Sequence, residues 1–168
     1  MDVTNLQQLA KPFPKKFIHS NPSGGGTYVK HHAYTQRLLL YTGPYDFELV
    51  EIIRGDVTGK PPNPKGTSDR AKKGTPDLTN VIVGVFMRLT VQVDGRAVTV
   101  EDVGDCEEPH NWPHDGARLK DAISDAKKRC CTHLGLGLHL YAQDEYVLRE
   151  TLVKREKQDE DPPSPDDQ

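Results

Sequence analysis

The chain has 168 residues, 35% hydrophobic and 28% charged, with 22 Lys and Arg against 25 Asp and Glu for a formal net charge of −3. That length supports one domain with a real core, and no stretch approaches the ~20 consecutive apolar residues of a membrane-spanning helix. The three cysteines, Cys106 and the adjacent Cys130 and Cys131, suit a reducing compartment rather than a disulfide framework, and no signal peptide is expected.

In chain order, a short element from Thr4 to Ala10 precedes Pro12-Phe13-Pro14, and Ser23 to Gly26 reads as a glycine-rich turn. A helix is expected over about His31 to Tyr41, then a strand over Asp46 to Arg54 whose Phe47, Leu49, Val50, Ile52 and Ile53 supply apolar side chains to both faces. The next segment, Arg54 to Lys73, carries Arg54, Lys60, Lys65, Arg70, Lys72 and Lys73 against only Asp56 and Asp69. Its Gly and Pro content predicts a mobile basic connection between strands.

A long β-hairpin follows. From Asn80 to Val93 the odd positions are Val81, Val83, Val85, Met87, Leu89, Val91 and Val93, while Arg88, Thr90 and Gln92 alternate with them. Asp94-Gly95 predicts a two-residue turn, which pairs Val91 with Val98, Leu89 with Val100 and Arg88 with Glu101. On that register Asp102 falls opposite Met87 on the apolar face and needs a hydrogen-bonding partner.

After a connection over Glu107 to His114, the stretch Asp115 to Leu140 has apolar residues at Leu119, Ala122, Ile123, Ala126, Cys130 and Leu134, the spacing of a helix packed on a sheet. Asp115 is expected as its N-cap and Gly135 as its C-cap. Lys127, Lys128 and Arg129 crowd one turn near its C-terminus, where the helix dipole tolerates positive charge. A last helix is expected over Gln143 to Lys157, and the acidic, Pro-rich tail from Glu156 to Gln168 is expected to be disordered. The layout is α+β: a twisted antiparallel sheet built on the long hairpin, packed against the long helix.

Charge is uneven along the chain. Without Glu156 to Gln168, the remaining 155 residues hold 21 bases against 19 acids. Three constellations compete for chemistry. Cys106, His110 and His114, with Cys130 or His133, hold the donor types of a zinc site but lack a CxxC pair. Glu101, Asp102 and Asp105 with His110 are the donors of a metal-dependent nuclease, although Glu101 also faces Arg88 on the polar side of the hairpin. Gly24-Gly25-Gly26 lacks the Lys-Ser/Thr that completes a phosphate-binding loop, so nothing supports ATP hydrolysis. Trp112 either stacks on a base or covers core.

The order of a strand, a DG turn, a strand ending VEDVGDCE and a helix reading DAISDAKKRCCTHLGLGL resembles the Rad-fifty-two family of single-strand annealing proteins. The resemblance runs from about Tyr28 to Leu148. It rests on Glu101, Asp102 and Gly104 at the end of the second hairpin strand, and on Asp125, Lys128, Arg129 and Gly135 along the helix. Upstream, Tyr28, Val29 and His32 open the first helix, and Phe47 stands where the family often has tryptophan. Ala33 replaces a family arginine, with Lys30 and Arg37 close by, and Glu107 to His114 departs from the family pattern.

The resemblance implies a Rad-fifty-two-like annealing domain over residues 1–155, followed by the tail at 156–168. Its function would be ATP-independent binding of single-stranded DNA and annealing of complementary strands in homologous recombination and repair, without enzymatic activity, cofactor or metal. The expected DNA-binding set is Lys127, Lys128, Arg129, Lys30, Arg37, Arg54, Lys72, Lys73 and Trp112. A homo-oligomeric ring or helical filament is implied, in the cytoplasm of a bacterial or phage-infected cell, with a single-strand binding protein as a possible partner of the tail and no membrane association.

Overall fold

The hairpin is organised by its turn. Asp94 and Gly95 have φ of +50° and +77°, the signature of the tight turn whose twist matches that of the flanking strands. Side chains report the register: the Thr90 and Thr99 hydroxyls lie 3.0 Å apart, and Arg88 Nε donates to Glu101 at 2.6 Å. Both pairings are those expected from the turn.

The structure is a computed structural model that describes residues 4–20, 26–142 and 146–148. The elements are α1 (Asn5–Ala10), β1 (Ile18–Ser20), β2 (Thr27–Val29), α2 (His31–Thr42), β3 (Asp46–Val57), α3 (Asp69–Lys73), β4 (Leu78–Val93), β5 (Arg96–Asp105), α4 (Asp115–Thr132) and α5 (His139–Ala142). β1 pairs antiparallel with β2, and the second sheet has the order β3-β4-β5. The class is therefore α+β, with antiparallel sheets and one long helix. Most of the turn expected at Ser23 to Gly26, the last helix beyond Leu148 and the acidic tail lie outside the described residues.

Chain contacts divide into two compact units. The first comprises Met1–Asp46, Leu89–Val100 and Cys130–Gln168; the second comprises Phe47–Arg88 and Glu101–Arg129.

In the first unit Thr4 caps α1, with a reciprocal bond from its own backbone N–H to Gln7. The segment behind α1 is tied down by groups from far along the chain. The Asn5 N–H donates to Asp94 Oδ1 at 2.7 Å, Arg37 donates to the carbonyls of Lys11 and Pro12, and the Tyr146 hydroxyl donates to the Ala10 carbonyl. Gly135, at φ +79°, ends α4 as expected: its N–H bonds to the Thr132 carbonyl and that of Leu136 to the Cys131 carbonyl, the two bonds of a Schellman motif. His139 Nε2 accepts the Phe13 N–H at 3.2 Å, so its proton sits on Nδ1, which is buried without a hydrogen-bond partner among the described residues.

In the second unit α4 lies against the sheet over Val85, Met87, Cys106, Ala122 and Ala126, with Phe47, Trp112, Leu119 and Ile123 at the margin. A Cβ at Gly104 would fall 2.2 Å from the Ala122 carbonyl oxygen and 2.3 Å from the Ala126 nitrogen, so only glycine admits this helix-to-strand approach. Three expectations are corrected here. Asp115 is the first residue inside α4, and His114 caps it instead, accepting the Ala117 N–H on Nδ1 at 3.2 Å. The odd-position burial of β4 holds from Val85 to Val93, but upstream Ile82 is buried and Val81 and Val83 are only partly so, the phase changing at the consecutive buried pair Gly84-Val85.

The third correction concerns the basic connection, which is a hydrogen-bonded loop. Gly59 N–H donates to Asp77 Oδ1 at 2.7 Å, Lys60 N–H to Thr75 Oγ1 at 2.8 Å, and Asn63 N–H to the Ala71 carbonyl at 2.8 Å. It is clamped to the chain after β5 by the Lys60–Glu108 ion pair at 2.9 Å and by His110 Nε2 on the Pro76 carbonyl at 2.9 Å.

Two predictions follow from these contacts. Gly104→Ala forces backbone apart and is expected to cost about 3 kcal/mol or more in urea unfolding, the upper range of overpacking; a change below about 0.5 kcal/mol would show that α4 does not rest on this glycine. Desolvation, then the Arg37 charge, lowers the His139 pKa to about 4 from 6.5. The unfolded chain takes up this proton first, so stability is full above pH 6.5 and falls as pH drops toward 4. His139→Gln should flatten that part of the urea-midpoint profile, and an unchanged slope would contradict the assignment.

Candidate nucleic-acid interface

The candidate interface starts at α4. Ala122 and Ala126, four residues apart, face the sheet with no exposure, so the turn that follows carries Lys127, Lys128 and Arg129 outward at about 100° per residue. Arg129 is exposed and the two lysines half-buried. Lys127 Nζ lies 5.1 Å from the Phe47 ring centroid, a cation–π contact from helix to strand. Acidic groups temper the cluster. Arg129 Nε is held by Asp125 at 2.8 Å, and Lys128 acts electrostatically on Asp121.

Behind the cations lies a polar cluster. Burial raises the Asp121 carboxyl pKa, opposed by hydrogen bonds from the Trp112 indole and the Cys106 thiol. Cys106 itself is pushed up to about 11 by burial and by Asp121, so it remains a thiol. Trp112 is partly buried against the core beside α4. At the other end of α4, burial raises the Asp115 pKa, but bonds from Arg54, the Ile82 N–H and Arg118 outweigh it and leave the carboxyl below its ordinary value. Arg118 is itself buried and donates to the Pro109 and Trp112 carbonyls.

The other expected cations separate into two kinds. Lys72 and Lys73 on α3 and Lys30 before α2 are exposed. Arg54 is paired with Asp115 at 2.8 Å and donates to the Asn80 carbonyl at 2.6 Å. Arg37 lies over the Phe13 ring at 4.1 Å while bonding two carbonyls, and burial lowers its pKa. Both arginines hold the scaffold together. Ala33 is buried.

Four donors of the metal alternatives, Glu101, Asp102, His110 and His114, make other contacts. Among the described residues no three His, Cys, Asp or Glu side chains converge as a metal site. Arg88 bridges Glu101 at 2.6 Å and Glu48 at 3.1 Å, and Asp102 accepts the Val103 N–H at 2.7 Å, the partner its half-buried position required. His110 and His114 serve as loop clamp and helix cap.

Sequence reading counted Lys60 among the cations of the basic segment but missed the shape of its loop. The signal was there in the paired Gly59-Lys60-Pro61-Pro62 and Lys73-Gly74-Thr75-Pro76, whose turn residues mark two arms of one folded loop. The sequence matches no protein-family model and no curated protein.

If Lys128 and Arg129 contact phosphates, replacing both with Ala should weaken single-strand binding and flatten the log–log salt dependence by about 0.7 per lost contact. Unchanged affinity across salt concentrations, with the fold intact, would remove them from the interface.

Proposed function

We propose that this chain is a non-enzymatic single-stranded DNA-binding protein that anneals complementary strands without ATP in homologous recombination and repair, built on a Rad-fifty-two-like domain over residues 1–155 with an acidic tail at 156–168. The observation that carries the reading is the cationic stretch Lys127–Arg129 near the C-terminal end of α4, on a helix pressed onto the strand that ends Glu101-Asp102-Val103-Gly104-Asp105. A basic loop of defined shape belongs to the same unit.

Annealing involves no covalent step. It requires neutralising two repelling phosphate backbones while base edges stay available, which lysines and arginines accomplish without reading sequence. A protomer of net charge −3 binds weakly by itself. Repetition of the site around a homo-oligomeric ring or helical filament supplies the avidity. The tail is placed as a solubilising segment or a dock for a single-strand binding protein. A cytoplasmic setting, in a bacterial or phage-infected cell, goes with this reading; among the described residues no helix is long and apolar enough to cross a membrane.

The test is pairing of complementary labelled oligonucleotides with chelator present and nucleotide absent. Acceleration should persist, and Glu101→Gln should retain it at a stability cost of about 0.2–1 kcal/mol, the worth of an exposed pair. Metal-dependent shortening of a strand, lost in Glu101→Gln, would establish a nuclease instead. A fold that collapses on chelation, with no annealing, would establish a zinc-stabilised adaptor.

A further inference from the structure

The loop between β3 and β4 frames a shallow, open cleft of about 560 Å³. Its walls include Lys60, Pro61 and Pro62 on one arm and Lys73, Pro76 and Asp77 on the other. The arms are locked together. A Cβ at Gly59 would lie 2.1 Å from the Thr75 carbonyl oxygen, and one at Gly74 would lie 2.5 Å from that of Lys60. The Lys60 N–H donates to the Thr75 hydroxyl and the Thr75 N–H to the Lys60 carbonyl, so the two arms are held in fixed relation.

Its chemistry is two-sided. Pyrrolidine rings present flat apolar surface on both arms, and Lys73, exposed at the end of α3, brings positive charge to the rim. Lys60 adds a second ammonium that is shared with Glu108 at 2.9 Å. The Asp77 carboxylate, the acidic group of the lining, is engaged by the Gly59 N–H at 2.7 Å. An occupant that matches has a flat apolar body joined to an anion.

We infer that this cleft takes one nucleotide unit of a single strand, with the base against Pro61, Pro62 and Pro76 and the phosphate at Lys73 and Lys60. The choice of a strand over a free nucleotide rests on the proposed function; the cleft itself does not. A base held there leaves the stack of its own strand, which gives annealing a fixed point from which neighbouring bases are presented.

The experiment follows backbone amide resonances of the full chain as ligand is added, using thymidine 5′-monophosphate, thymidine, inorganic phosphate and a short oligothymidylate. The monophosphate should move the Gly59, Lys60 and Gly74 amides, with thymidine or phosphate alone needing at least about tenfold more, and the oligothymidylate should move the same amides. Lys73→Glu should abolish these shifts and weaken oligothymidylate binding by about fivefold or more, the loss of one held nucleotide. Should phosphate alone match the monophosphate, the cleft is a plain anion site and the inference is wrong. If the oligothymidylate binds while amides from 59 to 77 stay still, the inference fails and the single-strand reading stands. If it does not bind but the monophosphate still moves these amides, the single-strand reading fails and the nucleotide cleft stands.

Discussion

Everything in the second unit depends on the approach of one helix backbone to one strand backbone at Gly104. The contact removes any room for a side chain on β5, and it demands Ala at 122 and 126 on α4 for the same reason. Small residues at a four-residue spacing bring the two backbones together, and fully buried neighbours such as Val85 then close the core around them. The direction of every other α4 side chain follows. Lys127 reaches the Phe47 ring, Asp121 meets Trp112 and Cys106, and Arg118 turns back to bind the carbonyls of its own approach loop.

Electrostatics in this unit is organised by local pairing. Arg54, Arg88, Arg118 and Arg129 each have a carboxylate within 3.1 Å. Three of these pairs are well exposed and contribute little to stability singly, but they fix where guanidinium groups point. The lysines are the more adaptable cations, with a compact charge on a flexible stem. On the proposed reading, such cations would give a polyanion many modest contacts to its backbone rather than to its sequence.

The hairpin was legible because its information is local: a turn dipeptide sets the register, and alternation at Val85 to Val93 sets the face. The α4 face was legible from its 3.6-residue period. The loop at 58–77 was not, since Gly59 meets Asp77 eighteen residues on, and composition alone suggested looseness where long-range bonds impose shape. Asp115 looked like a cap because its residue type suits one, but Arg54 and Ile82 recruit its carboxylate and leave the cap to His114. Gly104 carried a sequence signal, a lone glycine inside a strand, whose meaning depends on which helix arrives there. The role of Arg37 under Phe13 rests on tertiary contacts that no periodicity encodes.

The bonds that hold residues 4–13 have a consequence for biosynthesis. This segment is synthesised before its anchors Arg37, Asp94 and Tyr146, which lie 26, 89 and 136 residues further along the chain than the groups they hold. Contacts of such separation form late, after the loop-closure entropy has been met by the hairpin and by the helices around it. Until then Leu9 and Phe13, both buried in the finished protein, remain exposed apolar side chains. A segment made before all of its anchors is thus seated after them, and in the interval it is open to a chaperone or a protease.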